Sequence, residues 1–335
     1  MTRTGFVHQA LCYGSDDEFL EGTLEFTLDG LDSGDAVLAV AKDHNITLLE
    51  SALGTRAHDV EFVDADDWYR YPSRTLGQYH AYCADHGTDR RVRIIGEPVW
   101  TGRTEFEARE WTRYESLLNV AFADSGHWIV CPYDTRTVPA DIVHTATRTH
   151  PELALGARIS ASSSRYTAPA DFYAECDAAI PHCLKGVGGT PMAGRLPDGA
   201  DDIPFGRGRS AALRAAVAAY ARLSGMPEQR TYDMVAAVHE VVANAVRFGG
   251  GGGVLRLRSD PDYLICEVAD DGAHNSPAPA RFPGHLPPGK RAAGGHGMWV
   301  VRQLSDLVAE DLGPAGSTVR VYFRRPGDLT PRPAA

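Results

Sequence analysis

Three stretches decide the reading of this chain: HEVVANAVRF at 239–248, EVADDG at 267–272 and GGHGMW at 294–299. In the first, Glu240 and Asn244 stand four residues apart, so a helix puts both on one face. An amide oxygen there can hold a hard cation, and a carboxylate one turn away can orient or deprotonate a nucleophile. In the second, an apolar strand ends in Asp270, whose carboxylate can accept from an exocyclic amine, and Gly272 lets backbone pass close to a flat ring. In the third, Gly295 and Gly297 open an apolar helix, where free N–H groups and the helix dipole favour an anion. Each segment alone has an ordinary explanation: a solvated pair, a turn, a loop. Their order is what carries weight.

Around these segments the pattern is helical over 207–223, with Gly225 as a C-cap and Pro227 opening a second helix that runs to about Phe248. Strands follow at 254–258 and 263–269, joined by the turn-like Ser-Asp-Pro-Asp of 259–262, then a Pro-rich loop at 275–291. A helix is expected over 298–312 and a closing strand over 318–323.

Toward the amino terminus, AVLAVA at 36–41 suits a buried parallel strand, followed by a helix over 43–53. Further strands are expected at 59–63, 91–96 and 127–132, with a long helix at 103–122. Strands alternating with helices predict a mostly parallel α/β sheet. The connection after the first of these strands, Lys42-Asp43-His44-Asn45-Ile46-Thr47, has no glycine and no Gly-Lys-Thr run, which argues against a phosphate loop there. Residues 186–201, GVGGTPMAGRLPDGAD, cannot bury enough apolar surface to order themselves. The expected division is therefore a first domain at 1–183, with its core at about 5–155, a linker at 184–202, a second domain at 203–325 and a disordered tail at 326–335.

The 335 residues are 43% hydrophobic and 23% charged, with a formal net charge of -11. That charge opposes binding to nucleic acid or anionic lipid, so a partner protein or small ligand is the expected target. MTRTGFVHQALCYGSDDEF lacks the apolar run of a signal peptide, and no stretch of about eighteen apolar residues exists to span a membrane. A cytoplasmic protein is expected. Cysteines at 12, 83, 131, 176, 183 and 266 form no CxxC pair and read as reduced, mostly core thiols.

The order Glu-x-x-x-Asn, Asp-x-Gly, Gly-x-Gly resembles the nucleotide boxes of the GHKL superfamily of ATPases. GHGMWVVRQLSD followed by GSTVRVYF looks especially like its anti-sigma serine-kinase branch. The resemblance implies an α/β sandwich, a mixed sheet under helices, that binds ATP and Mg²⁺. It assigns Glu240 as general base and Asn244 as Mg²⁺ ligand. Asp270 would take the adenine amino group with Gly272 beside the ring, Gly295, Gly297 and Met298 would follow the phosphates, and Thr318 would sit near the adenine. The lid would be 273–294. Phe248 stands where the branch often has His, and the lid carries Lys290 and Arg291 instead of an acidic-Pro element.

In the first domain, HQALCYGSDDEF, DADDWY, RIIGEPVW, WTRYE, CPYDT with THPEL, and SRYTAPADF resemble the MEDS sensory domain. That implies a P-loop-like fold without a working phosphate loop, used to sense a ligand or partner. His8, Tyr13, Glu97, Trp100, Glu115 and Asp134 are the candidate sensory-pocket residues, since polar groups at strand ends gather at the crevice of an open α/β sheet. The ordinary reading of the same residues is structural hydrogen bonding and ion pairing with Arg93 and Arg113.

The two domains together resemble the RsbA-type anti-sigma regulatory proteins of actinobacteria. The function this implies is an ATP-dependent regulator that holds a sigma factor and phosphorylates Ser or Thr of a STAS-type anti-anti-sigma factor, under control of the first domain. The alternative is a catalytically inactive ATP-binding module that sequesters either partner. The sequence leaves open whether two copies pair, and what the first domain senses. A sensor histidine kinase would need an acceptor histidine on a long helix. His182, after Pro181, is the candidate, and it lacks that helix. A gyrase- or MutL-like ATPase would need a further domain after the last strand.

Overall fold

A computed structural model describes residues 5–87, 89–156, 159–176, 202–272, 282, 284–288, 296–313 and 316–326. The chain divides into two compact units, one ending at Cys176 and the other beginning at Asp177. The expected linker up to residue 201, most of the lid including Lys290 and Arg291, Gly295, His182 and the tail beyond 326 lie outside the described residues. No helix among the described residues is long and apolar enough to cross a membrane.

The first unit is a seven-stranded sheet in the order β3-β2-β4-β5-β1-β6-β7. Its strands are β1 (Val7–Tyr13), β2 (Ala36–Ala41), β3 (Val60–Asp64), β4 (Val92–Gly96), β5 (Trp128–Asp134), β6 (Glu152–Ala154) and β7 (Ser160–Ser162). All pairings are parallel except that of β6 with β7. Helices α1 (Asp16–Asp32), α2 (Asp43–Leu53), α3 (Ala65–Trp68), α4 (Pro72–His86), α5 (Glu105–Ala121) and α6 (Ala140–Thr149) connect the strands, and a helix α7 spans 169–176. Every residue of β2 is buried, as a strand covered on both faces requires.

Local signals start the helices where they start. Ser15 caps α1 by accepting from the Glu18 N–H at 3.2 Å, and Thr104 and Glu107 form a reciprocal capping box on α5. One face of the sheet buries Leu11, Tyr13, Val37, Ala39, Ile95 and Val130 with Phe19 and Phe26 of α1 and Leu49 of α2. The polar run at 160–164, which marks a change of character in the sequence, is partly sheet: β7 closes the free edge of β6 by antiparallel pairing.

The second unit is a five-stranded sheet in the order β11-β12-β10-β9-β8, with α8 (Ser210–Leu223), α9 (Glu228–Phe248) and α10 (His296–Leu304). Its strands are β8 (Ile203–Gly206), β9 (Gly252–Ser259), β10 (Tyr263–Asp270), β11 (Leu307–Gly313) and β12 (Gly316–Arg324). Every pairing is antiparallel, so the mixed character expected of this sheet is absent among the described strands. Leu264, Cys266 and Val268 of β10 and Val319, Val321 and Phe323 of β12 pack against Val217 of α8 and Met234, Val238 and Val241 of α9.

The helix expected over 298–312 stops at Leu304. Asp306 donates its N–H to the Tyr322 carbonyl at 3.0 Å, and its carboxylate takes Arg230 at 2.6 Å and the Arg324 N–H at 2.6 Å. These bonds join residue 306 to the sheet, and the apolar run Leu307-Val308-Ala309 continues as β11, buried throughout. A short apolar run fits helix or strand equally well, and here tertiary pairing decides.

Candidate functional site: one helix with a polar flank in the carboxy-terminal unit

Helix α9 turns Met234, Ala237, Val238, Val241, Val242 and Ala245 inward. That apolar stripe sets Glu240 and Asn244 together on its half-buried flank. Gly297, in the first turn of α10, lies directly over them: a β-carbon there would stand 2.9 Å from Glu240 Oε2 and 3.4–3.5 Å from the Asn244 amide atoms. Only glycine lets the α10 backbone approach the carboxylate and amide this closely, since a side chain at 297 would displace Glu240.

Five residues beyond Asn244, roughly 7–8 Å along a helix axis, Gly249 caps α9 and meets Asp270. A β-carbon on Gly249 would fall 2.4–2.5 Å from the Asp270 carboxylate, and one on Gly272 would fall 2.0–2.5 Å from the Gly249 backbone. The end of α9 is thus seated on the Asp270-x-Gly272 turn, which Asp270 Oδ1 braces by accepting the Gly272 N–H at 3.1 Å. Gly272→Ala must move one backbone past the other and is expected to cost about 1–3 kcal/mol. The check is the midpoint of denaturant unfolding, and a midpoint equal to that of the parent would sink this account of the contact.

Glu240, Asn244, Asp270, Gly272 and Gly297 are therefore arrayed along one helix. Met298 is half-buried, with the Gly284 Cα against its backbone. Thr318 is placed elsewhere. Val319, Val321 and Phe323 of β12 face the helices, so strand alternation turns Thr318 to the opposite face of the sheet, in register with Ala269. Ser317, buried and paired with Asp270, carries the hydroxyl on the helix side. Its expected neighbour in the sequence is corrected by one residue. Phe248 is 53% exposed at the end of α9, with the Arg247 guanidinium 5.8 Å from its ring centroid.

A cleft of about 380 Å³ borders the same flank, lined by Glu240, Asn244 and Arg247 of α9 and by Gly206, Arg207, Gly208 and Ser210 at the start of α8. Two exposed cations and a helix N-terminus beside a carboxylate and an amide suit an anion accompanied by a metal. Sequence reading missed Arg207 and Arg247. The GRGR run at 206–209 was the available signal, with Gly208 at φ 83° making its turn.

On the outer face of the sheet, Glu267 is held by Arg256 at 2.9 Å and Arg320 at 2.7 Å, with Arg258 at 3.7 Å. Burial works against its ionised form, but the guanidinium hydrogen bonds outweigh it and keep the carboxyl below its ordinary value. This is a structural ion cluster, turned away from Asp270 by the alternation of β10.

In the first unit the six candidate pocket residues separate. His8 and Tyr13 are five apart on β1 and so point to opposite faces. Tyr13 donates to Glu97 Oε1 at 3.3 Å at the carboxyl ends of the strands. Glu97 Oε2 also accepts from the Lys42 backbone N–H and from Asn45 Nδ2, both at 2.9 Å, with Lys42 Nζ 3.7 Å from Oε1. A carboxylate thus occupies the strand–helix connection at which a phosphate loop would offer its amides. Burial and the Glu97 charge raise the Tyr13 hydroxyl far above its ordinary value. Asp134 is nearby: desolvation disfavours its charge, but Arg136, bonded at 2.8 Å, wins and holds the carboxyl low.

His8, Trp100 and Glu115 gather on the other face. Trp100 stacks on the Tyr133 ring at 6.2 Å, the Tyr133 hydroxyl donates to Glu115, and His8 stands 4.0 Å from the His150 ring centroid. Burial pushes the Glu115 carboxyl up to about 8. One candidate pocket is two polar clusters separated by the sheet.

Comparison with protein families agrees with this division. Residues 7–151 match the family described as MEDS, the methanogen/methylotroph DcmR sensory domain. Residues 207–323 match the histidine kinase-like ATPase domain. The chain joins a MEDS domain to a histidine kinase-like ATPase domain. Among curated proteins nothing matches. The boundaries of the ATPase match enclose the whole polar flank of α9, the Asp270 turn and Gly297, and the MEDS match encloses both polar clusters of the first sheet.

Proposed function

We propose that this protein is an ATP-binding anti-sigma regulator whose MEDS domain biases what its ATPase domain holds. The ATPase domain would bind a sigma factor and transfer phosphate to a Ser or Thr of a STAS-type anti-anti-sigma factor. The observation that carries the nucleotide reading is the double contact on α9, with Gly297 over Glu240 and Asn244 and Asp270 against Gly249.

The donor set fits ATP with Mg²⁺. Asn244 offers a hard amide oxygen and lines the cleft beside α9. Bound Mg²⁺ supplies neutralisation of phosphate charge. The protein's own work would be positioning: Asp270 would accept from an exocyclic amine, Arg207 and Arg247 of the cleft would offer charge to an anion, and Glu240 would take the proton of the attacking hydroxyl. Glu240→Ala is expected to slow transfer to a STAS partner by roughly 10²–10⁴-fold with nucleotide binding retained. The measurement is label transfer from γ-labelled ATP, and transfer at the parental rate would remove Glu240 as base.

The exposed Phe248 favours a second reading. With no imidazole at that position, the domain would keep ATP as a structural ligand and capture its partner stoichiometrically. Absence of label on any STAS partner, together with tight ATP-dependent binding, would select it.

A further inference from the structure

His8, Cys131 and His150 meet in the interior of the MEDS domain, on the sheet face opposite Tyr13. All three are buried, at 2%, 1% and 0% exposure. Their ligand atoms lie within 4.8 Å of one another. His8 Nε2 is 3.5 Å from Cys131 Sγ. Metal–nitrogen bonds of about 2.0–2.1 Å and a metal–sulfur bond of about 2.3 Å put N and S of a tetrahedral site roughly 3.5 Å apart.

The hydrogen bonds behind the imidazoles fix their tautomers. Asn119 donates Nδ2 to the Thr149 carbonyl at 2.7 Å and the Ser116 carbonyl at 3.1 Å, so its oxygen faces His8 Nδ1 at 3.0 Å. His150 Nδ1 stands 2.8 Å from the Ala146 carbonyl, which can only accept. Both rings therefore carry their proton on Nδ1 and keep a bare Nε2 lone pair, that of His8 beside the sulfur. The thiol has a single proton, which the Glu115 carboxyl also contacts, and cannot serve both rings. His150 Nε2 is left buried without a partner, a costly state for a polar atom. Ligating imidazoles held by a carbonyl or amide on the far nitrogen are the arrangement that orients metal ligands.

We propose that His8, Cys131 and His150 form a buried two-nitrogen, one-sulfur site for a thiophilic transition-metal ion of the zinc or copper(I) class. Binding forms two metal–nitrogen bonds and one metal–sulfur bond, and the thiol proton leaves to solvent. Three protein ligands leave one position for a further ligand. The site belongs to the first unit and stands or falls apart from the nucleotide reading.

Because the ligands are enclosed, the test loads metal as the full chain folds, by expression with zinc or copper and by refolding with Co²⁺. Elemental analysis after dialysis is expected to give about one metal per chain, and the cobalt form a thiolate-to-metal charge-transfer band. Cys131→Ser and His150→Gln are expected to lose the metal and the band. Asn119→Ala, which removes only the brace behind His8, is expected to weaken affinity about 10–100-fold. Cys12→Ser, at an exposed thiol, is expected to change neither. Circular dichroism checks each fold. Metal-free parental protein, a cobalt form without the thiolate band, or full loading of folded Cys131→Ser would overturn the proposal. If Cys131→Ser and His150→Gln do not fold, Asn119→Ala and the band in Cys12→Ser decide it.

Discussion

Asp270→Ala is expected to weaken ATP binding by roughly tenfold to a hundredfold, the equivalent of one hydrogen bond to a charged group at about 1.5–3 kcal/mol. The carboxylate is 8% exposed and sits on the end of α9, so a base held there would share its hydrogen bond with little water. Alanine also frees the Gly272 N–H, which Asp270 Oδ1 accepts at 3.1 Å. Asp270→Asn keeps the shape and one acceptor and should fall between alanine and the parent. Titration calorimetry with ATP and Mg²⁺ measures the series. Equal affinity in all three proteins would mean that no nucleotide base contacts this carboxylate.

Arg93→Ala is expected to lower the thermal midpoint of the MEDS domain by roughly 6–20 °C. Arg93 is 7% exposed, pairs with Asp35 at 2.7 Å and donates to the Phe26 carbonyl at 2.9 Å. Its guanidinium lies 5.3 Å and 5.1 Å from the ring centroids of Phe26 and Trp128. Removing one partner of a buried pair leaves the other charge uncompensated, at about 3–5 kcal/mol. For a domain of this size each kcal/mol is worth about 2–4 °C. A second change, Asp35→Asn, removes the stranded charge and should return part of the loss. Calorimetry of the intact chain reads both, and a midpoint within a degree or two of the parent's would show that Arg93 does not hold α1 to the sheet.

Much of this architecture could be read from residue pattern. AVLAVA at 36–41 is β2 to the residue, and 43–53 is α2 to the residue, because an apolar run covered on both faces and a well-separated helix leave little ambiguity. The Glu240–Asn244 spacing gave the polar flank of α9 for the same reason. What escaped depended on pairing across long separations. β8 is four residues that exist as a strand through β9, and β6 and β7 support each other. β11 was hidden in an apolar run that only Asp306 and β12 convert to strand. Thr318 was misplaced by one residue because the phase of a strand is set by which side chains its neighbours bury. His8 was singled out, but Cys131 and His150 were not: 123 and 142 residues separate them from His8, and no local spacing announces such a triad.

Helix α9 carries the carboxylate–amide pair on one turn and the seat for Asp270 at its tip. The span between them is therefore a property of a rigid rod, fixed by rise per residue and indifferent to loop motion. Inserting one residue between 244 and 249 would swing one end by about 100° relative to the other, so length there is not adjustable by small steps. Gly297 approaches from a different segment. Its place over Glu240 and Asn244 is therefore set by the packing of one helix on another, not by the rise of α9.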